Sequence, residues 1–207
     1  MKRMRPLIFR LFLSASVVYL VGMRAFFGIP VPDDVKTQLA AAVQRLAPLA
    51  NEVTWCKRDQ FHVTLAYLGE ISPAILPHVT AVAERVCAAQ SAFTCEASGF
   101  GFFGTKRNPK TLWAGITPAA EWDTLYECLW AELTKFGFKN KEPSFRPHIT
   151  LGRCRESARN QAVVQAMDAD EATAFGDWEV KRVTLYESRL TPHGAIYRNL
   201  AHAPLAD

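Results

Sequence analysis

The tetrapeptide His-x-Thr-Leu occurs twice in this chain, as His62-Val63-Thr64-Leu65 and as His148-Ile149-Thr150-Leu151. Each copy sits in an apolar, β-branched run, the composition of a strand. Side chains on a strand alternate faces, so His62 and Thr64 point one way while Val63 and Leu65 point the other. His148 and Thr150 are set against Ile149 and Leu151 in the same manner. Each copy offers one imidazole and one hydroxyl together, backed by an apolar face that can be buried. Two such strands facing one another would make a symmetric polar pocket of two histidines and two threonines.

That pocket has the parts needed to cleave a phosphodiester. An imidazole titrates at roughly pH 6.5, so a pair can supply one base and one acid near neutrality. The base removes a proton from an attacking water, and the acid protonates the leaving oxygen. Thr64 and Thr150 can donate to the non-bridging oxygens as charge grows on them. This chemistry requires no metal and no other cofactor, and no carboxylate cluster suited to a metal lies near either motif. Arg153 is the natural phosphate partner by chemistry. It lies five residues past His148, however, and on a regular strand an odd offset points away. A strand that ends or twists at Gly152 would bring it in.

A single His-x-Thr on a strand is most often chance; the duplication singles these residues out. His78 falls in a helix, His193 in a turn and His202 near the C-terminus, and none has a threonine partner. Lys106, Arg107 and Lys110 read as a solvated hairpin tip. Trp55, Trp113 and Trp178 read as core, although one exposed aromatic could stack a base.

The elements that must position the motifs alternate along the chain. Residues 24–29 read as a strand, and Pro32-Asp33-Asp34 then start a helix to about residue 47. Phe61–Leu68 is a strand ended by Gly69, and Ser72-Pro73 starts a helix to about Gln90. Phe93–Phe103 and Thr111–Thr117 read as strands around a loop over residues 104–110. Glu121–Phe136 is a helix closed by Gly137. Pro147–Arg153 is the second motif strand, followed by a short helix over Ser157–Met167. Trp178–Leu190 and Ala195–Ala201 read as a closing hairpin. The motifs are 86 residues apart, about half the chain beyond Met23. The pattern predicts two similar α+β lobes with the motif strands facing one another across a cleft.

Composition removes some alternatives. The 207 residues, 49% hydrophobic, suffice for one globular domain with a real core. The net charge of +4 arises entirely in the first 22 residues, which hold Lys2, Arg3, Arg5 and Arg10 and no acid. The 20 basic residues that follow balance 20 acidic ones, so a globally basic nucleic-acid binder is not implied. The five cysteines are scattered without a CxxC pair, which argues against structural zinc and fits reduced thiols in the cytoplasm. Residues 7–21 are largely apolar, but Arg10 interrupts them and the run is shorter than the roughly 20 residues of a spanning helix. Residues 1–22 are read as an extension from an upstream start codon rather than a targeting segment. Residues 23–207 are read as one bilobal domain, expected to be a monomer without a stable membrane partner.

With these residues in view, the chain resembles the two-histidine (2H) phosphoesterases, and most closely the RNA 2′,3′-cyclic phosphodiesterases once named 2′-5′ RNA ligases. The resemblance spans about Met23 to Leu205. Its most specific stretches are Met23–Ile29, Phe61-His62-Val63-Thr64-Leu65-Ala66-Tyr67-Leu68-Gly69-Glu70, Leu112-Trp113-Ala114-Gly115-Ile116, Arg146-Pro147-His148-Ile149-Thr150-Leu151-Gly152-Arg153 and Leu185-Tyr186-Glu187-Ser188. It implies a bilobal α+β fold with pseudo-two-fold symmetry, two antiparallel-rich sheets flanking a central cleft with helices on the outside, and hydrolysis of an RNA-end or nucleotide 2′,3′-cyclic phosphate to a 2′-phosphate. His62 would be the proton donor and His148 the acceptor. Thr64, Thr150 and Arg153 would bind phosphate. Reversible 2′-5′ ligation and a non-catalytic nucleotide-binding module are the alternative readings.

Overall fold

The computed structural model describes residues 22–207 except 51, 118, 142, 143, 156–159, 171 and 193. The reading of residues 1–22 as an extension therefore falls almost wholly outside the described residues, as does His193. In chain order the described elements are β1 (Met23–Pro30), α1 (Asp33–Leu46), β2 (Val53–Trp55), β3 (His62–Ile71) and α2 (Leu76–Ala88). Next come β4 (Phe93–Thr105), β5 (Asn108–Ile116), α3 (Ala120–Lys135), β6 (His148–Cys154), α4 (Gln161–Ala169), β7 (Ala174–Val180), β8 (Arg182–Thr191) and β9 (Gly194–Pro204). No helix among the described residues is long and apolar enough to cross a membrane.

The expected α+β class and internal symmetry hold. The strands run in the order β7-β4-β5-β6-β3-β1-β8-β9, with β2 added to β6. Exchanging β3 with β6, β1 with β5, β8 with β4 and β9 with β7 maps one four-stranded half onto the other. The two halves are not separate sheets. Val63 pairs with Ile149, and that contact of β3 with β6 joins them into one antiparallel sheet. Both motif strands thus lie at the centre of the molecule.

Burial follows from the sequence pattern. Val63, Leu65, Ile149 and Leu151 are buried on the face covered by helices, whereas His62, Thr64, His148 and Thr150 are half-buried on the other. Removing a Val, Leu or Ile side chain from water contributes roughly 1.5–3 kcal/mol, enough to fix which face of each strand turns inward. Helix α1 begins with Asp33 and Asp34, acids that complement the helix dipole, and buries Val35, Leu39, Ala42 and Leu46. Helix α3 buries Trp122, Leu125, Tyr126, Leu129, Trp130 and Leu133, and ends before Gly137, whose φ of +86° closes it. The Trp130 indole N–H donates to the Leu65 carbonyl at 3.3 Å, tying α3 to the first motif strand.

Several boundaries differ from the sequence reading. The segment Trp178–Leu190 is two strands, β7 and β8, broken at Lys181 where the chain crosses between halves: β7 pairs with β4 and β8 with β1. Strand β2 has only three residues and no periodicity to betray it. The loop expected over residues 104–110 shrinks to a turn at Lys106-Arg107, because β4 and β5 stay paired as far as Thr105–Asn108. The helix expected over Ser157–Met167 runs from Gln161 to Ala169, and residues 157–159 lie outside the described part.

Candidate active site

The pairing of Val63 with Ile149 sets the geometry of the four motif residues. Followed one residue each way, this antiparallel register places His62 beside Thr150 and Thr64 beside His148. The two imidazoles occupy one diagonal of the quartet and the two hydroxyls the other. In a regular ladder, diagonal neighbours stand about 7–8 Å apart, and their Cβ atoms somewhat less.

Both rings are anchored the same way. His62 Nδ1 lies 2.7 Å from the Gln60 carbonyl oxygen, and His148 Nδ1 lies 2.8 Å from that of Arg146. A carbonyl oxygen only accepts, so Nδ1 carries the proton in each ring, and Nε2 is the atom through which a proton can be exchanged. His62 Nε2 is 3.0 Å from Thr64 Oγ1. The hydroxyl donates when the ring is neutral and accepts when it is protonated.

The two histidines differ in their walls. Phe26 and Tyr186 stack on one another, and the His62 ring centroid lies 4.7 Å from Phe26, 5.1 Å from Tyr197 and 5.9 Å from Tyr186. The His148 ring meets the edge of Phe103 at 4.9 Å and stands 6.2 Å from Trp113. Burial among these rings pushes the His62 pKa down to about 4; the Gln60 carbonyl opposes the shift, and the charges of His148 and Arg153 add to it. A neutral His62 is therefore the resting state at pH 7.

Arg153 reaches the site, contrary to simple alternation. Strand β6 bulges against β5: Trp113 partners Thr150 and Leu112 partners Gly152, so Leu151 is the extra residue. Leu151 and Gly152 are both buried, and alternation resumes one residue late. Arg153 thereby joins the face of His148 and Thr150, and its charge is felt by His62 and Tyr197. Among the described residues Arg153 has no carboxylate partner. Gly152 is needed here, because a Cβ would come within 2.6 Å of Val53 Cγ1 and 3.0 Å of the Trp55 ring.

Trp113 is the clearest correction to the sequence reading. It is half-buried at the site rather than in the core, because its indole lies flat over Gly101, where an added Cβ would meet the ring at 2.1 Å. Trp178 is buried as expected, and Trp55 packs partly buried against the core. His78 and His202 are exposed and lie apart from the quartet; His202 Nδ1 is 3.0 Å from Thr184 Oγ1. Sequence reasoning missed Phe26, Phe103, Tyr186 and Tyr197, whose convergence depends on strand pairings distant in sequence. It also missed the carbonyls of Gln60 and Arg146, although each stands two residues before its histidine. Among the described residues no group of three or more His, Cys, Asp and Glu is arranged to hold a metal ion. The five cysteines are unpaired thiols, and burial raises Cys56 to about 11 and both Cys87 and Cys95 to about 12.

This arrangement defines a class: a symmetric antiparallel fold presenting paired His-x-Thr strands beside an arginine. The model of the 2′-5′ RNA ligase superfamily matches residues 29–192, and the chain belongs to that family. It is 31% identical to the RNA 2′,3′-cyclic phosphodiesterase of Thermotoga maritima over 86% of this chain and 93% of that one. Its identity to the enzyme of the same name from Archaeoglobus fulgidus is 27%, over 86% and 98%. Among solved structures, a protein of Thermus thermophilus aligns with a TM-score of 0.73 at 26% identity, covering 88% of this chain and 98% of that one. LigT of E. coli, crystallised with 3′-AMP, shares the fold with a TM-score of 0.72 at 23% identity, covering 90% and 99%.

Proposed function

We propose that this chain is a metal-independent RNA 2′,3′-cyclic phosphodiesterase that opens the cyclic phosphate of an RNA end or nucleotide to a 2′-phosphate. The observation that carries the reading is the quartet of His62, Thr64, His148 and Thr150, with both rings held through Nδ1. A water attacks phosphorus while His148 Nε2 takes its proton. The new P–O bond forms as the bond to the 3′ oxygen breaks, and His62 Nε2–H delivers a proton to that oxygen. Thr64 and Thr150 donate to the non-bridging oxygens, and Arg153 balances their charge. The chain supplies the acid, the base and the phosphate-binding groups that this mechanism uses.

The assignment of His62 as donor follows the family resemblance, and it meets an electrostatic condition. Burial keeps the free ring neutral, whereas a donor must be protonated. An anionic phosphate set between the rings favours the charged form, so substrate itself loads the acid. The unpaired thiols support a reducing, cytoplasmic setting for such an enzyme.

The test is incubation with a 2′,3′-cyclic mononucleotide in excess chelator, with the two monophosphate products separated. The 2′-phosphate is expected at an undiminished rate. Formation of the 3′-phosphate would reverse the leaving group, and loss of activity restored by a divalent cation would overturn metal independence.

A further inference from the structure

The symmetry of the sheet identifies a position that the reaction leaves unused. Strand β3 carries the same bulge as β6: Phe27 partners Ala66 and Gly28 partners Thr64, so Leu65 is the extra residue. The residue five past His62 therefore joins the site face, as Arg153 does five past His148. That residue is Tyr67, which is 54% exposed. Its cross-strand partner is Phe26, the ring that walls His62, and directly paired residues share a face.

The two halves differ in what lies along the free edge beyond this point. On β6 the edge is covered by β2, which pairs Val53, Thr54 and Trp55 with Cys154, Arg153 and Gly152. Among the described residues, no strand covers the corresponding edge of β3 at Ala66–Leu68. The connection after α3 stands off instead and leaves a cavity of about 310 Å³. Thr64 and Tyr67 line one side, Trp130 and Phe138 bring aromatic surface, and Lys139 and Lys141 bring charge. Both lysines are exposed and have no carboxylate partner among the described residues. The cavity thus opens at a candidate phosphate-binding threonine and leads away from it. At about 3.3 Å per residue, Tyr67 lies about 10 Å along the strand from Thr64, past the reacting phosphate.

An exposed aromatic with unpaired cations in a groove is the chemistry that holds single-stranded nucleic acid. Bases stack on the ring and the backbone follows the charge. We infer that this cavity receives the nucleotide preceding the cyclic end, its base on Tyr67 and its phosphodiester against Lys139 and Lys141, so that the enzyme favours RNA strands over free cyclic nucleotides. The inference rests on the proposed reaction and assigns its substrate class.

The experiment compares kcat/KM on a 2′,3′-cyclic mononucleotide with that on a trinucleotide ending in the same cyclic phosphate. Wild type should prefer the trinucleotide by about 10-fold or more, the worth of one stacked base. Tyr67→Ala and the double variant Lys139→Ala/Lys141→Ala should lose that preference and leave mononucleotide turnover unchanged, whereas Tyr67→Phe should keep it. No preference in wild type, or equal losses on both substrates, would overturn the inference. A cavity built for a protein partner would give that result. Binding of the trinucleotide carrying a 2′-phosphate reads the cavity without turnover. If wild type fails to hydrolyse either cyclic substrate but Tyr67→Ala weakens this binding, the cavity stands and the cyclic phosphodiesterase reading falls. Binding unaffected by Tyr67→Ala would count against the cavity alone.

Discussion

His62 combines two opposing demands. Aromatic burial pushes its pKa down to about 4, while the proposed donor role requires a proton. The folded value lies below the roughly 6.5 of an unfolded histidine. Between those limits the unfolded chain binds a proton that the folded one refuses, so the His62 contribution to stability is lost as pH falls from about 6.5 to 4. Inorganic phosphate should favour the charged ring and lessen that loss. An NMR titration checks this directly: the His62 ring should titrate at about 4 alone and higher with phosphate, and an ordinary value without phosphate would contradict the burial account. The hydroxyls carry a separate prediction. Thr150→Val should lower kcat by about 10²–10³-fold, the usual loss for one oxyanion donor, as measured in steady-state assays. Arg153→Ala should mainly raise KM, since its charge acts on the ground-state phosphate as well. Each His-Thr pair was legible in the sequence because it depends only on local alternation. Trp113 and the box around His62 were not, because they depend on which distant strands pair.

Bulges decide which side chains the motif strands deliver. Leu151 and Leu65 each occupy two-against-one positions, and each shifts the following residues to the opposite face. Simple period-two reading therefore failed for Arg153 at the point where the strand stops being regular. Gly152 marks that point, since β2 approaches too closely for a side chain. Gly152→Val should force β2 away from β6 and cost about 1–3 kcal/mol, as overpacking does, seen as a lower urea midpoint. KM for the cyclic nucleotide should rise with it, through Arg153. A variant with unchanged stability and KM would show that β2 does not hold the arginine. Helices α1 and α3 were readable from apolar spacing and their end signals. The break at Lys181 and the strand β2 were not, because β-branched composition continues through the first and the second is too short.

At the scale of the molecule, two similar halves are fused so that their equivalent edges meet at one residue pair. The repeat spacing made the symmetry legible, but not that Val63 and Ile149 would join both halves into a single sheet. That junction gives the proposed site its symmetry of parts and leaves each half to supply one proton-exchanging ring. The claim that the two rings act together on one phosphate is tested most directly by kcat on a 2′,3′-cyclic nucleotide for His62→Ala, His148→Ala and the double variant. Each single change is expected to lower kcat by about 10²–10⁴-fold in variants that circular dichroism shows to be folded at the assay temperature. The double variant should be little worse than the poorer single one, since groups acting as a unit are not additive. A single variant that retains the wild-type rate would contradict the account.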